Sequence, residues 1–243
     1  MNNEVVSTGV AAPATVINKT RKSPGPINQA LARELSRAEF VGLAAQNAAY
    51  ATGIGNRDID GDFVSAFLDD VDAARTKMGA AVNHTTAHRG ATAAEKKAAK
   101  QLEAGMREVQ KAAKQKYART NRIALADYFI GKKLNGSRSN LAQTSQTILG
   151  KVASDELPGI TTAKVKALGA QRKSWLDASE AQVTAETAAL DSRAELKTMI
   201  QSIKDRKLAI QLAADAEYPH TDEANAATRK EFALQPDRPL VIL

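Results

Sequence analysis

The chain has 243 residues, a charged fraction of 25%, a formal net charge of +7 and no cysteine, which excludes disulfides, zinc–thiolate sites and thiol catalysis. Aromatic residues make up only 4%, while alanine recurs in nearly every segment; this balance favours closely packed helices over sheets. We therefore predict an all-α protein built of up-and-down helical bundles.

Residues 1–26 form a predicted disordered arm, because Thr, Pro, Gly and Asn alternate there without a lasting apolar period. The start has no basic segment followed by an apolar core, as a secretory signal requires. No stretch reaches the roughly 20 apolar residues that span a bilayer. These patterns predict a soluble, cytoplasmic protein with no membrane partner.

The predicted first bundle unit covers residues 27–134. Ser36 and Glu39, three residues apart, are typical of a capping box at a helix start, and Leu35 with Phe40 could form a hydrophobic staple around it. The glycines of "TGIGN" are predicted to end this helix.

A second helix is expected to begin near Asp60 or Asp62 and to carry an apolar stripe from Val64 to Val82. The segment "HRGAT" is predicted to break it. A third helix is predicted from Thr92 to Tyr117, and a shorter one from Ile123 to Ile130.

The predicted second unit covers residues 135–234, after the loop "GKKLNGSRSN". It has a helix near Leu141–Val152, the break "SDELPGI", one long helix around residues 165–183, another around residues 196–210, and a short helix near Thr221–Phe232. Trp175 is predicted to fill the core. Residues 235–243 form a predicted extended tail, since their two prolines prevent a continuous helix.

The two halves place similar residues about 100 positions apart. Leu68 falls opposite Leu168, Tyr117 opposite Tyr218 and Phe129 opposite Phe232. This favours a degenerate internal repeat of domain size, hence two similar four-helix units in tandem. Identity between the halves is low, so two unrelated helical hairpins are the alternative.

The stretch "NRDIDGDFVSAF", residues 56–67, has oxygen-bearing side chains at its first, third and fifth places and a glycine at the sixth, as calcium loops do. The twelfth place of such a loop needs a bidentate glutamate, and here it is Phe67. Asn56 is neutral, and the equivalent break in the other half lacks the spacing. The stretch is interpreted as a turn that caps a helix.

Other candidate motifs for chemistry are incomplete. His84 and His88 have helical i, i+4 spacing but no metalloprotease glutamate and no third ligand, and Glu217 with His220 is a single Glu-x-x-His interrupted by Pro219. The segment "IGKKLNGS" lacks the first glycine and the Gly-Lys-Ser/Thr order of a phosphate loop. We predict no catalytic residue, no metal site and no cofactor.

A basic helix is the clearest remaining feature. Residues 95–122 hold nine Lys and Arg against three Glu, close to the excess of the whole chain. Such a stripe could neutralise phosphates, although a solvated amphipathic face has the same pattern. The residues that would contact nucleic acid are Lys96, Lys97, Lys100, Arg107, Lys111 and Lys114.

The order "LSRAEF", a long helix after a loop, a second long helix and a terminal "ALQPDRPL" resembles uncharacterised bacterial helical-bundle proteins with a duplicated unit of about 100 residues. The resemblance extends from about Ser36 to Leu240. It implies a helical bundle and carries no catalytic residue.

The sequence therefore predicts a non-enzymatic structural, scaffold or adaptor protein that contacts a protein partner, or a second copy, through helix faces or termini. The alternative is a nucleic-acid-binding protein that uses the basic helix around residues 96–122.

Overall fold

The computed structural model describes residues 26–134 and 136–241, and every regular element within them is helical, so the all-α prediction is confirmed. Apart from Pro26, the predicted N-terminal arm lies outside the described residues. The α-helices are α1 (Pro26–Gln46), α2 (Ala48–Gly55), α3 (Gly61–Tyr117), α4 (Arg138–Ser154), α5 (Thr162–Glu217) and α6 (Ala226–Glu231). Two short 3-10 helices, Ile123–Tyr128 and Glu223–Asn225, follow α3 and α5.

Helices α3 and α5 form the axis of the molecule. They have 57 and 56 residues, so each is about 85 Å long at a rise of about 1.5 Å per residue. Arg57, just before α3, pairs with Glu217 at the end of α5, and His88 lies 3.0 Å from Gln182 in the middle. As the residue number rises along α3, the number of the contacting residue on α5 falls, so the two helices are antiparallel.

The predicted break at "HRGAT" is wrong, because α3 continues through residues 88–92 without interruption. The single glycine there, Gly90, costs a helix only about 1 kcal/mol relative to alanine. The predicted division of residues 165–210 into two helices is wrong for the same reason: α5 is continuous. Contacts with the opposite helix hold both segments in place.

A strict seven-residue period explains how the long helices stay together. Every seventh residue faces the partner, as in a coiled coil, and this narrow face is buried along both helices except at His88, which is half-buried. The buried positions are Phe67, Ala74, Ala81, Glu95, Leu102 and Val109 on α3 and Leu168, Trp175, Gln182, Ala189, Leu196, Ile203 and Ile210 on α5.

The first bundle surrounds the start of α3 and the end of α5, against which α1, α2 and the C-terminal segment pack. Gly42 of α1 lies close against α3. A Cβ atom placed there would come 2.7 Å from the Leu68 side chain and 3.0 Å from Phe67, so only glycine fits without movement.

The second bundle surrounds the end of α3 and the start of α5, against which the first 3-10 helix and α4 pack. Trp175 is buried in its core, as predicted. Asp155, at the end of α4, accepts hydrogen bonds from the hydroxyls of Tyr117 at 2.9 Å and Tyr128 at 2.5 Å. Those bonds lower the pKa of Asp155, and burial raises the pKa of Tyr128.

The predicted capping box is wrong, because α1 has already begun at Pro26 and Ser36 lies in its interior. Glu39 instead accepts a hydrogen bond from Arg75 of α3 at 3.0 Å. The staple prediction fails with it, since Leu35 is fully buried whereas Phe40 is 47% exposed. A tertiary contact determines the place of this glutamate, and the local pattern does not reveal it.

Several features recur about 101–104 residues apart. Asp60 and Thr161 cap α3 and α5, each accepting a hydrogen bond from the amide three residues on. Gln110 donates to the carbonyl of Tyr128 at 2.8 Å, and Gln211 donates to that of Phe232 at 2.9 Å. In both cases a residue with left-handed backbone follows, Phe129 (φ 52) and Ala233 (φ 54).

The arrangement of two four-helix units in tandem is not confirmed. Each hydrophobic core draws residues from both halves of the sequence, because α3 and α5 each run through both bundles. None of the described helices is long and apolar enough to cross a membrane.

Candidate functional site

The predicted basic residues lie together on one side of the second bundle. All six are exposed, and they occupy the half of α3 that follows the predicted break. Among the described residues, none of them forms an ion pair with a carboxylate. Their charge is therefore available to a partner. The residues are Lys96, Lys97, Lys100, Arg107, Lys111 and Lys114.

Five of these side chains, all but Lys96, belong to a longer surface, which we call the outward face of α3. It consists of the positions opposite the α5 seam, at alternating steps of three and four from residue 62 to residue 114. All its side chains are exposed. It spans 52 residue steps, about 78 Å of helix.

The outward face changes sign along its length. Towards the helix start it carries Asp62, Asp69 and Asp72, all exposed, and beyond residue 96 it carries the cations. Between these ends lie only short side chains, including Gly79 and Gly90, whose Cβ positions have no neighbour within 4 Å.

The two bundles also differ in charge, the first being acidic and the second basic. Residues 95–190, which build the second bundle, contain 17 Lys and Arg against 9 Asp and Glu. Residues 26–82 and 191–241, which build the first, contain 13 against 17. The molecule is an elongated body with one acidic and one basic end, and its own field can orient a charged partner.

Between the two cores, polar side chains interrupt the apolar seam in a cluster that we call the polar belt. Arg138 at the start of α4 donates to both carboxylate oxygens of Glu95, at 2.5 and 2.7 Å, and to the amide oxygen of Gln182 at 2.5 Å. Gln182 in turn contacts His88 at 3.0 Å and donates to Glu186 at 3.1 Å.

The polar belt is held electrostatically by the arginine. The Arg138 hydrogen bond lowers the pKa of the buried Glu95, so that carboxylate remains ionised although it occupies a core position. Beside the belt is an open cleft of ≈ 260 Å³ whose lining includes Glu95, Arg138 and Trp175. Buried polar residues in a helical seam are best known for fixing register and pairing, which is the chemistry this arrangement can supply.

The remaining sequence candidates have structural places. Asp60 accepts a hydrogen bond from the Phe63 amide at 2.8 Å and caps α3, as the capping interpretation predicted, while Phe67 is fully buried. His84 is exposed, and Glu217 pairs with Arg57. Within residues 26–134 and 136–241, no group of three or more metal-binding side chains comes together.

A comparison with protein-family models, curated proteins and solved structures finds no match for this chain.

Sequence reasoning found the cations and missed their acidic counterpart on the same helix face. Dividing α3 at residue 88 hid the relation, because two separate helices have no common face. The period of seven carried the missing signal, since Ala81, His88 and Glu95 remain in phase through the supposed break. The polar belt was missed because it depends on Arg138 reaching α3 from another helix.

Proposed function

We propose that this protein is a non-enzymatic helical scaffold or adaptor that acts through protein–protein contacts of its exposed helix faces. The observation that carries the proposal is the outward face of α3, which exposes separated acidic and basic ends on one continuous helix of 57 residues. Long paired helices hold surface groups at fixed separations, which is what a spacer or scaffold requires. No cofactor enters this role, and we propose that it is performed in the cytoplasm.

We further propose that the chain arose by internal duplication. The proposal is supported by the equivalent helix caps, the equivalent glutamine hydrogen bonds and the equivalent left-handed residues, each set about 101–104 positions apart. In this arrangement each repeat contributes the helices that precede a long helix, which are α1 and α2 in the first repeat and α4 in the second, then the long helix and a terminal short helical segment. The long helices then interlock, so that neither repeat has a core of its own.

The scaffold proposal is tested by affinity capture from the native cells under low salt. The bait is the full chain with Lys100, Arg107 and Lys111 changed to Glu, compared with the unchanged protein. A matched control changes Lys164, Lys166 and Lys173 of α5, which have the same charge and are also exposed. We expect the α3 variant to lose partners that the α5 variant retains. Identical protein sets for all three baits would contradict a role for this face.

A nucleic-acid-binding function is the second candidate, favoured by the six exposed cations, which pair with no carboxylate within residues 26–134 and 136–241. Fluorescence anisotropy with duplex and single-stranded oligonucleotides tests it. Phosphate binding by several cations would make the logarithm of affinity fall steeply with the logarithm of salt concentration, and reversing Lys96, Lys100 and Lys111 would abolish it. Tight binding that is indifferent to salt, or retained in this variant, would contradict it.

A further inference from the structure

The charges on the outward face of α3 are arranged so that the face complements itself. Asp62 lies 25 residues before Ala87 and Lys111 lies 24 residues after it, while Asp72 lies 15 before and Lys100 lies 13 after. At about 1.5 Å per residue, each acid and its counterpart are therefore at nearly equal distances from Ala87. A second copy turned end to end would bring opposite charges together at both ends.

We propose that the outward face of α3 binds the same face of a second copy of this chain, antiparallel, with the two-fold axis near Ala87. This inference rests on the proposed scaffold function and names its partner. In the pair, Asp69 of one copy comes opposite Arg107 of the other, and Asp72 comes opposite Lys100. The two-fold axis repeats each contact, so the interface closes at two copies and does not grow into a filament.

The shape of the face permits this contact. The outward-face residues nearest the axis, Asn83, Thr86 and Gly90, have short side chains, and the exposed His84 and Arg89 lie to either side of the face. The Cβ positions of Gly79 and Gly90 are unobstructed. Helix axes approach to about 8–10 Å when the intervening side chains allow it. The charged groups at both ends are exposed, and Asp72 also accepts a hydrogen bond from Arg75 of its own helix at 3.0 Å.

A second copy satisfies the charge pattern better than a polyanion does. Nucleic acid running along α3 would be attracted by Lys100 and Arg107 but repelled by Asp69 and Asp72 on the same face. In the antiparallel pair, the acidic half of each copy faces the basic half of the other, so both halves of the face are attracted. Selection of the partner and of its direction is what complementary charge on a helix face supplies.

Two charge-reversed variants of the full chain test the proposal: Asp69→Lys with Asp72→Lys, and Lys100→Glu with Arg107→Glu. Sedimentation equilibrium at low salt should show the unchanged protein reaching two copies and no more. Each variant alone replaces four attractive contacts by repulsive ones, so its association should be weakened at least about tenfold. An equimolar mixture of the two variants should restore it, because every reversed charge then faces its opposite.

The control variant carries Glu180→Lys and Asp191→Lys on α5, which changes the net charge as the first variant does and should associate like the unchanged protein. Circular dichroism confirms that each variant is folded. An unchanged protein that remains monomeric at high concentration would overturn the proposal. So would variants that still associate, a mixture that does not recover, or unlimited growth. A monomer whose cellular partners still depend on the basic half of α3 would overturn self-association and leave the scaffold function standing.

Discussion

The fully buried Arg229 is expected to hold the C-terminal segment onto the first bundle. It lies on α6 and donates to Asp215 of α5 at 2.6 Å, to the carbonyl of Tyr218 at 2.6 Å, and to those of Gln235 and Arg238 at 2.8 Å each. The planar guanidinium group of Arg229 donates all four of these hydrogen bonds. Replacing it removes the cation that these four acceptors share.

We expect Arg229→Met, which keeps most of the side-chain volume, to lower the free energy of unfolding by about 3 kcal/mol. Removing one member of a buried ion pair costs about 3–5 kcal/mol because the other charge is left uncompensated. The lower end applies here, since the Asp215 side chain is 21% exposed and can regain water. The carbonyls of Gln235 and Arg238 belong to a surface segment that can also rehydrate.

Urea unfolding followed by far-ultraviolet circular dichroism measures the loss, with Lys230→Met as the matched control. Lys230 is the exposed neighbour on the same short helix, so its replacement should change stability by no more than about 0.5 kcal/mol. Hydrogen exchange should also accelerate, in the Arg229 variant alone, at the backbone amide of Leu234, which donates to the Arg229 carbonyl at 2.9 Å. Equal stabilities for the two variants, with unchanged exchange, would refute the reasoning.

Three further outcomes are expected. Gly42→Ala should destabilise the first bundle by about 1–3 kcal/mol because the added methyl group overlaps core side chains. Gly79→Ala, whose methyl group meets no neighbour, should stabilise α3 by up to about 1 kcal/mol. Unfolding temperatures that shift in the same direction for both variants would contradict this. Because Arg138 lowers the pKa of Glu95, the ionised Glu95 carboxylate contributes stability above the ordinary value of 4.5, and that contribution is lost as the pH falls through the lowered pKa. The difference in unfolding free energy between the unchanged protein and Glu95→Gln should therefore narrow in acid. A difference that stays constant with pH would exclude the Glu95–Arg138 ion pair. Asp155→Ala should lower the free energy of unfolding by about 2 kcal/mol, because it leaves the buried Tyr128 hydroxyl unpaired. Urea unfolding measures this loss, with Asp155→Asn for comparison. Full stability of the Ala variant would argue against the Tyr128–Asp155 hydrogen bond.

Part of the candidate site could be predicted from residue identity alone. The six cations were placed on one exposed helix face because their spacing keeps them on the side away from the apolar stripe, and the structure has them there. Their relation to Asp69 and Asp72 could not be predicted, because it requires α3 to be one helix. Arg229 and Arg138 gave no sequence signal either, since their partners come from elements distant in the chain.

Local sequence patterns determine that this protein is helical, and tertiary contacts determine that the two long helices are continuous. Alanine-rich, aromatic-poor composition and a helix-start residue such as Asp60 were sufficient to predict helices, because helix formation depends on neighbours within a few positions. The continuity of α3 and α5 was decided by their contact with each other. A glycine at position 90 costs about 1 kcal/mol locally, and the seam that continues on either side of it is stabilised by burial along both helices, which no local window contains.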